Sequence, residues 1–392
     1  MRNLLIIILL SITVSDAFPN STEKINISLL TVAPRDKAIY TVYGHTAMRI
    51  QSGKLDIVIN WGTFDSNRKN FVYHFVRGET DYFMSVESYN LFEKIYIADG
   101  AQIIEQEINI PDNMKVSMLE EIYENLRPHN AQYRYNYFFD NCTLRPRNLI
   151  EKYSGGTVVY PQPNEVTLRD LVHDCTNQYP WMKFGIDIVI GNGADSLVSR
   201  RTELFLPQKL SETLDKSVIR MKDGRELPVV LSKKYITGND AVINKSNAAI
   251  ISLNPLNIGI LMFIIFLVIT ILKVFKDINV QIPFAILFFI TGCAGCIVIF
   301  LMMFSSHPCV SPNWNIVWLN PLHFIGCAGF ACNKKKHLLF DLFFILNIIA
   351  LSVFIIAWHW IPQTIDIASL PIIGCLLLGA IVKMTTGRIL KA

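Results

Sequence analysis

His45 and Cys142 stand in sequence settings that suit nucleophilic chemistry. His45 follows a glycine inside a strand pattern, Tyr43-Gly44-His45-Thr46-Ala47-Met48-Arg49. Cys142 lies in Asp140-Asn141-Cys142-Thr143-Leu144-Arg145-Pro146-Arg147, where an aromatic strand pattern gives way to a helix. A thiol at a helix N-terminus feels the positive end of the dipole and unpaired backbone N–H groups, which lower its pKa. Those N–H groups also suit a developing oxyanion. An imidazole brought nearby completes a nucleophile–base pair. Each residue has a plain structural reading as well: a strand histidine satisfied in a core, and Asp140 and Asn141 as ordinary caps. Both together, in one exported domain, favour chemistry.

Other chemistries lack their residues. The chain has no His-Glu-x-x-His, no Cys-x-x-Cys in its first half and no Gly-Lys-Ser/Thr phosphate loop, so neither a metal nor a nucleotide cofactor is expected. The formal charge of +4 is not gathered into a basic stripe, which argues against a nucleic-acid partner. Six of the eight cysteines follow residue 290, and Cys293 and Cys296 read as small packing residues inside a span. Only Cys142 and Cys175 precede them, and their spacing allows a disulfide.

The elements that must position the pair read as a mixed α+β domain. Ile25–Ala33, Ile39–Ile50 (interrupted by Gly44), Leu55–Trp61 and Ala101–Ile110 carry strand patterns, and Tyr133–Phe139 an aromatic one. Asp112 opens a helix with Leu119, Ile122, Tyr123 and Leu126 on one face and Pro128 just past its end. A second helix is expected over Cys142–Tyr153, ended by Ser154-Gly155-Gly156. The 392 residues divide as a signal peptide 1–17, a catalytic domain 18–235, a polar linker 236–252 and a membrane domain 253–392. Met1-Arg2-Asn3, the apolar Leu4–Ile12 and Ser15-Asp16-Ala17 carry the signal-peptide pattern, an uncleaved anchor being the alternative.

Five stretches have the length and apolarity of spanning helices, at about 255–275, 282–304, 314–331, 338–360 and 367–385. Lys273 and Lys276, then Lys334, Lys335 and Lys336, then Lys383, Arg388 and Lys391 follow the first, third and fifth, whereas loops 305–313 and 360–366 carry no lysine or arginine. Positive loops stay in the cytoplasm. The catalytic domain and the two uncharged loops are thus expected outside, with the C-terminus inside. The signal peptide demands the same orientation. One outer loop, His307 through Asn313, Trp314, Asn315 and Trp318 to Asn320-Pro321, reads either as an interfacial tryptophan belt with capping asparagines or as a polar pocket beneath a site at the outer leaflet.

Several segments resemble known families. The order histidine before cysteine, with Asn141-Cys142 opening a helix, is similar to the circularly permuted papain-like superfamily that includes lecithin–retinol acyltransferase. More closely, Gly44-His45-Thr46 with Arg49, Asn60-Trp61-Gly62-Thr63-Phe64, Tyr133 through Thr143, Arg145-Pro146-Arg147 and the loop from His307 to Leu322 resemble the Bacteroidota-type lipoprotein N-acyltransferases, the Lnb family. Arg169-Asp170, Trp181, Asp187 and Asp195 also recur in that pattern, without a chemical role assigned here.

The resemblance implies an α+β permuted papain-like domain before an all-α membrane domain. It implies Cys142 as nucleophile and His45 as its base but does not fix the group that orients the imidazole; Asn60, on the next expected strand, is the candidate, an ordinary amide capping a strand end before Gly62 being the alternative. Asn141 would shape the turn or the oxyanion site, and Arg145 and Arg49 would hold a phosphate or cap neighbouring loops. Tyr133, Tyr135, Tyr137, Phe138 and Phe139 would wall an acyl tunnel or simply pack a core. The implied activity moves an acyl chain from a phospholipid, through a thioester, to the N-terminal amine of a lipid-modified lipoprotein cysteine. It would take place at the periplasmic face of a multi-pass inner-membrane protein. Two rivals remain open from the residues: an exported cysteine peptidase or amidase acting on cell-wall peptides, and a non-catalytic membrane protein that binds an envelope partner.

Overall fold

The computed structural model describes residues 24–163, 165–236, 253–332 and 338–389. The expected signal peptide, most of the linker, Lys334, Lys335, Lys336 and Lys391 lie outside the described residues. By its contacts the chain forms two units, one of residues 1–75, 79–165 and 198–244, the other of 76–78, 166–197 and 245–392.

The first unit is built on strands β1 (Asn26–Val32), β2 (His45–Ser52), β3 (Leu55–Thr63), β4 (Asp81–Ser88), β5 (Ile103–Ile108) and β6 (Gln132–Arg134). A small group β7 (Thr157–Val159), β8 (Val218–Arg220) and β9 (Glu226–Pro228) pairs separately, and β10 (Val230–Ile236) returns to the main sheet. The main sheet runs β10-β5-β1-β2-β3-β4-β6, every pair antiparallel. Its centre is covered on both faces. Ile27 and Leu29 join Met48, Ile50 and Ile59 in a core with Met118 and Ile122 of helix Asp112–Leu126 and Leu149 and Ile150 of helix Leu144–Tyr153. Leu30, Val32, Ala47 and Val58 face the other way, onto Tyr89 and Phe92 of helix Tyr89–Ala98. Burial on both sides is why β1 reads as only a weak alternation.

Three local expectations change. Residues Ile39–Tyr43 form a 3₁₀ turn rather than a strand, and β2 starts at His45. Gly44 makes that junction at φ 78°, where a Cβ would come within 2.6 Å of the Val32 carbonyl oxygen. The aromatic segment pairs only over Gln132–Arg134, because the Asn136 side-chain Oδ1 accepts the Phe138 and Phe139 N–H groups and turns the chain. The following helix starts at Leu144, two residues after the cysteine. Strand β4 has no counterpart among the expected elements.

The second unit holds three helices long and apolar enough to cross a membrane, Pro255–Lys276, Gln281–Phe304 and Leu338–Ile356, with the shorter apolar stretch Ser369–Thr385 among the described residues. The span expected over 314–331 is not one helix. It is a 3₁₀ turn Trp314–Val317 and a helix His323–Ala331 of 9 residues, separated around Pro321, which cannot donate a helical hydrogen bond.

Residues 166–197, expected in the catalytic domain, belong to this second unit and carry its main ionic network. Arg169 is buried, with Nη1 on Asp187 Oδ1 (2.7 Å), Nε on Asp195 Oδ1 (2.8 Å) and Nη2 on the Ile190 and Gly191 carbonyls. His173 Nε2 meets Asp187 at 2.9 Å, and Asp195 also accepts the Thr364 N–H. Removing one partner of a buried ion network costs about 3–5 kcal/mol, because the others stay buried and unpaired. Arg169→Met is therefore expected to lower the unfolding free energy by about that amount in detergent-solubilised protein. Arg225→Met, which touches only the exposed Asp223, should change it by less than about 1 kcal/mol. Equal thermal melting of the two variants would contradict this account of the network.

Candidate active site

Strand register brings the polar site together. Ala47 on β2 pairs with Asn60 on β3, so His45, two residues earlier, lies diagonal to Asn60 on the same face. Val58 pairs with Glu87 on β4, which puts Glu87 on that face diagonal to Asn60. The side chains follow this order: His45 Nε2 lies 2.9 Å from Asn60 Oδ1, and Asn60 Nδ2 donates to Glu87 Oε1 at 2.8 Å. Cys142 is hydrogen-bonded to His45 at the other end of the chain.

The proton positions follow from elimination. An ionised carboxylate only accepts, so the amide nitrogen of Asn60 must face Glu87. Its oxygen then faces the imidazole, so His45 Nε2 carries the hydrogen. The basic nitrogen left for the thiol proton is Nδ1. Burial works against a charged imidazole, but the Cys142 thiolate and the Asn60 bond outweigh it and raise the His45 pKa. Burial likewise opposes the thiolate, yet the His45 hydrogen bond and charge, the Thr46 N–H and the Tyr135 hydroxyl bring Cys142 down to about 7. Glu87 is raised, first by burial, with Asn60 and His45 pulling the other way.

Around the sulfur, Tyr135 Oη donates to Cys142 Sγ over 3.7 Å and itself accepts the Cys142 N–H. Burial and the adjacent thiolate raise the Tyr135 pKa well above its ordinary value, so the hydroxyl stays a neutral donor. Gly62 makes this approach possible. At φ 88° it sits where a Cβ would lie 2.9 Å from the Tyr135 ring edge. Cys142 and Cys175 are both free thiols, so the disulfide their spacing allowed is not formed.

The remaining expected site residues are otherwise engaged. Asn141 is a cap: its Oδ1 accepts the Thr143 and Leu144 N–H groups, and its Nδ2 donates to the Tyr137 and Phe205 carbonyls. Those two N–H groups, expected to serve an oxyanion, are thereby used. Arg145 forms a two-pronged pair with Asp140 and lies over the Tyr133 ring. Arg49 shares the His45 face but lies four residues further along β2, about 13 Å at the rise of a strand. There it pairs with Asp56 and Glu105 over the Tyr89 ring. Neither guanidinium presents an open fork for a phosphate.

In the loop of the second unit the asparagines follow the capping reading, with Asn313 Oδ1 accepting the Asn315 N–H at the start of the 3₁₀ turn. Asn313 and Asn315 are buried and donate to the carbonyls of Ile188 and Asp187, while Asn315 Oδ1 accepts the Trp318 indole N–H. They are ties to helix Pro180–Val189, not the lining of an open polar pocket. The His307 N–H donates to Ser305 Oγ. Asn320 donates to the Val317 carbonyl and faces His323 Nε2 at 3.4 Å.

Glu87 and Tyr135's contact with the thiol are features of the candidate site that the sequence did not single out. The alternation Tyr82, Met84, Val86 marks a strand that would have placed Glu87 on the His45 face.

A thiol held near neutrality beside an oriented imidazole, in an α+β domain joined to apolar membrane helices, defines a membrane-anchored protein with a candidate nucleophilic site. The model of the Lnb N-terminal periplasmic domain matches residues 19–173, and that of the Lnb transmembrane domain matches residues 245–388. The chain belongs to the Lnb family, whose members are membrane-bound lipoprotein-modifying enzymes, and its N-terminal domain is periplasmic. No curated protein and no solved structure matches the chain.

The geometry predicts a titration. Alkylation of Cys142 by iodoacetamide should rise with pH through a midpoint near 7. His45→Ala should move the midpoint toward the ordinary 9.0, since the largest stabilising contact of the thiolate is lost. Glu87→Gln frees the Asn60 amide to turn and should raise it by roughly half a unit to one unit, a change worth up to about 1.4 kcal/mol. Mass spectrometry of the labelled peptides gives the rates. A wild-type midpoint at 9 refutes the arrangement.

Proposed function

We propose that the protein is a thiol-dependent lipoprotein N-acyltransferase on a permuted papain-like domain, with Cys142, His45 and Asn60 as its catalytic group. The observation that carries this reading is the continuous hydrogen-bonded chain Cys142–His45–Asn60–Glu87 in a periplasmic domain joined to a membrane domain. His45 takes the Cys142 proton, and the thiolate attacks an ester carbonyl of a phospholipid. The C–O bond breaks, the leaving alkoxide takes the proton back from His45, and a lysophospholipid departs from a thioester. The α-amine of the lipid-modified lipoprotein cysteine then attacks the thioester and gives its proton to His45. The C–S bond breaks, and the thiolate accepts that proton. Atoms and charge balance without any cofactor.

Two half-reactions through one covalent intermediate suit a site that meets two lipids in turn. Both substrates are anchored in the bilayer, which gives the membrane domain a purpose that a peptidase on soluble peptides would not need. On this reading the domain works at the outer face of the inner membrane, and the C-terminus lies in the cytoplasm.

Purified protein given phospholipid and a diacylated lipopeptide is expected to release lysolipid and form the triacylated product. An acyl group should be recoverable on Cys142 by mass spectrometry when the acceptor is withheld. Cys142→Ala should abolish both products, and His45→Ala should slow them by roughly 10²–10⁴-fold, the usual range for a lost general base. Peptide cleavage without lysolipid would instead establish the peptidase. Full acylation by Cys142→Ala would show that the thiol takes no part.

A further inference from the structure

Six aromatic rings of the first unit form a closed circuit beside the thiol. Successive centroid distances are 5.5 Å for Phe64–Phe71, 5.9 Å for Phe71–Phe75, 6.2 Å for Phe75–Tyr137, 5.6 Å for Tyr137–Tyr135, 4.5 Å for Tyr135–Tyr82 and 5.4 Å for Tyr82–Phe64. Tyr40 extends it, 5.7 Å from Phe64. At its inner end Tyr135 touches the sulfur. At its outer end the surface is apolar and open: Val72 is 71% exposed, Tyr40 60% and Phe75 37%. Helix Phe71–Val76 has no buried residue despite its sequence Phe-Val-Tyr-His-Phe-Val.

A folded protein exposes such a contiguous patch where something apolar is meant to cover it. We propose that this circuit seats the hydrocarbon chain of the acyl donor, with the ester carbonyl delivered to Cys142. The inference rests on the acyltransferase reading and names where its donor chain lies. Two observations choose the occupant. Cys142 is only 8% exposed, so its substrate must arrive along a lined route, and the rings run unbroken from the surface to the sulfur. None of the six rings belongs to a charged residue. A hydrocarbon gains by leaving water against such a wall, and the hydroxyls that a peptide backbone could use are already engaged, Tyr82 with Tyr137 and Tyr135 with the sulfur.

The test compares acyl loading of Cys142 from the nitrophenyl esters of acetic and palmitic acid in the full-length protein. Phe75→Ser, and separately Tyr40→Ser at the exposed rim, should lower the palmitoyl-to-acetyl loading ratio at least tenfold. An unchanged ratio in both variants overturns the circuit as the acyl site and leaves the acyltransferase reading standing. Failure of either ester to load wild-type Cys142 overturns both. Because loss of a ring can also loosen the fold, a second measurement keeps the circuit intact. A phospholipid with a mid-chain diazirine is photolysed with Cys142→Ala protein. Crosslinks at residues 64–75 and 137 are expected, and crosslinks confined to residues 255–385 overturn the proposal.

Discussion

Everything at the site depends on which way one amide points. Asn60 sits between a group that only accepts and a ring that can do either, and Glu87 decides the matter. With the amide nitrogen held by the carboxylate, the carbonyl oxygen must meet the imidazole, and the basic nitrogen of His45 is fixed as Nδ1. This logic survives only in one strand register. A slip of one residue in β2, β3 or β4 would turn its member of the trio to the opposite face, into the core of Met48 and Ile59. Register is therefore guarded by hydrophobic burial at the same positions that build the relay. The one irregularity between β3 and β4 falls between Asn60 and Thr63, beside the sulfur, where Gly62 lets the tyrosine approach.

The thiol is held by a different device. A cysteine opening a helix suggests that free N–H groups of the first turn would stabilise charge. Instead Asn141 consumes two of them, and Cys142 lies outside the helix proper. Its stabilisation comes across the fold, from His45, the Thr46 N–H and Tyr135. These contacts put β2 and the aromatic turn in charge of reactivity, while Asn141 supplies rigidity. A donor set formed by tertiary contacts can respond to what occupies the neighbouring surface, which a helix terminus cannot.

How far the sequence alone carried can be judged residue by residue. His45 and Cys142 were legible as a candidate pair because residue type and local setting both pointed to chemistry, while Asn60 was reachable only as a polar residue on the next expected strand, which the register then sets beside His45. Glu87 was not, although Tyr82, Met84 and Val86 alternate, because a carboxylate at the end of a short strand looks like any solvated charge. The arginines misled for a related reason. Arg49 meets Glu105 across 56 positions, and no local pattern announces such a partner. Arg145 meets Asp140 only because the chain turns tightly around Asn141. The aromatic run Tyr133–Phe139 has strand composition throughout, but the Asn136 side chain competes for the backbone and ends the pairing early.

The same competition explains the second unit. Within apolar helices a polar side chain must find a protein partner, since lipid offers none. His323 is fully buried, with Nδ1 on Thr291 Oγ1 at 2.8 Å and Nε2 facing Asn347 at 3.2 Å. Thr291 already donates to the Leu287 carbonyl, so its oxygen accepts from His323 Nδ1, and the imidazole accepts through Nε2. Three apolar-looking segments are thereby pinned at one depth by a single ring. The buried loop amides do in the connection ahead of helix His323–Ala331 what His323 does within it. Asn313 and Asn315 hold helix Pro180–Val189, whose Asp187 in turn holds Arg169. A polar residue beside a span is thus evidence first of an element brought from elsewhere in the chain.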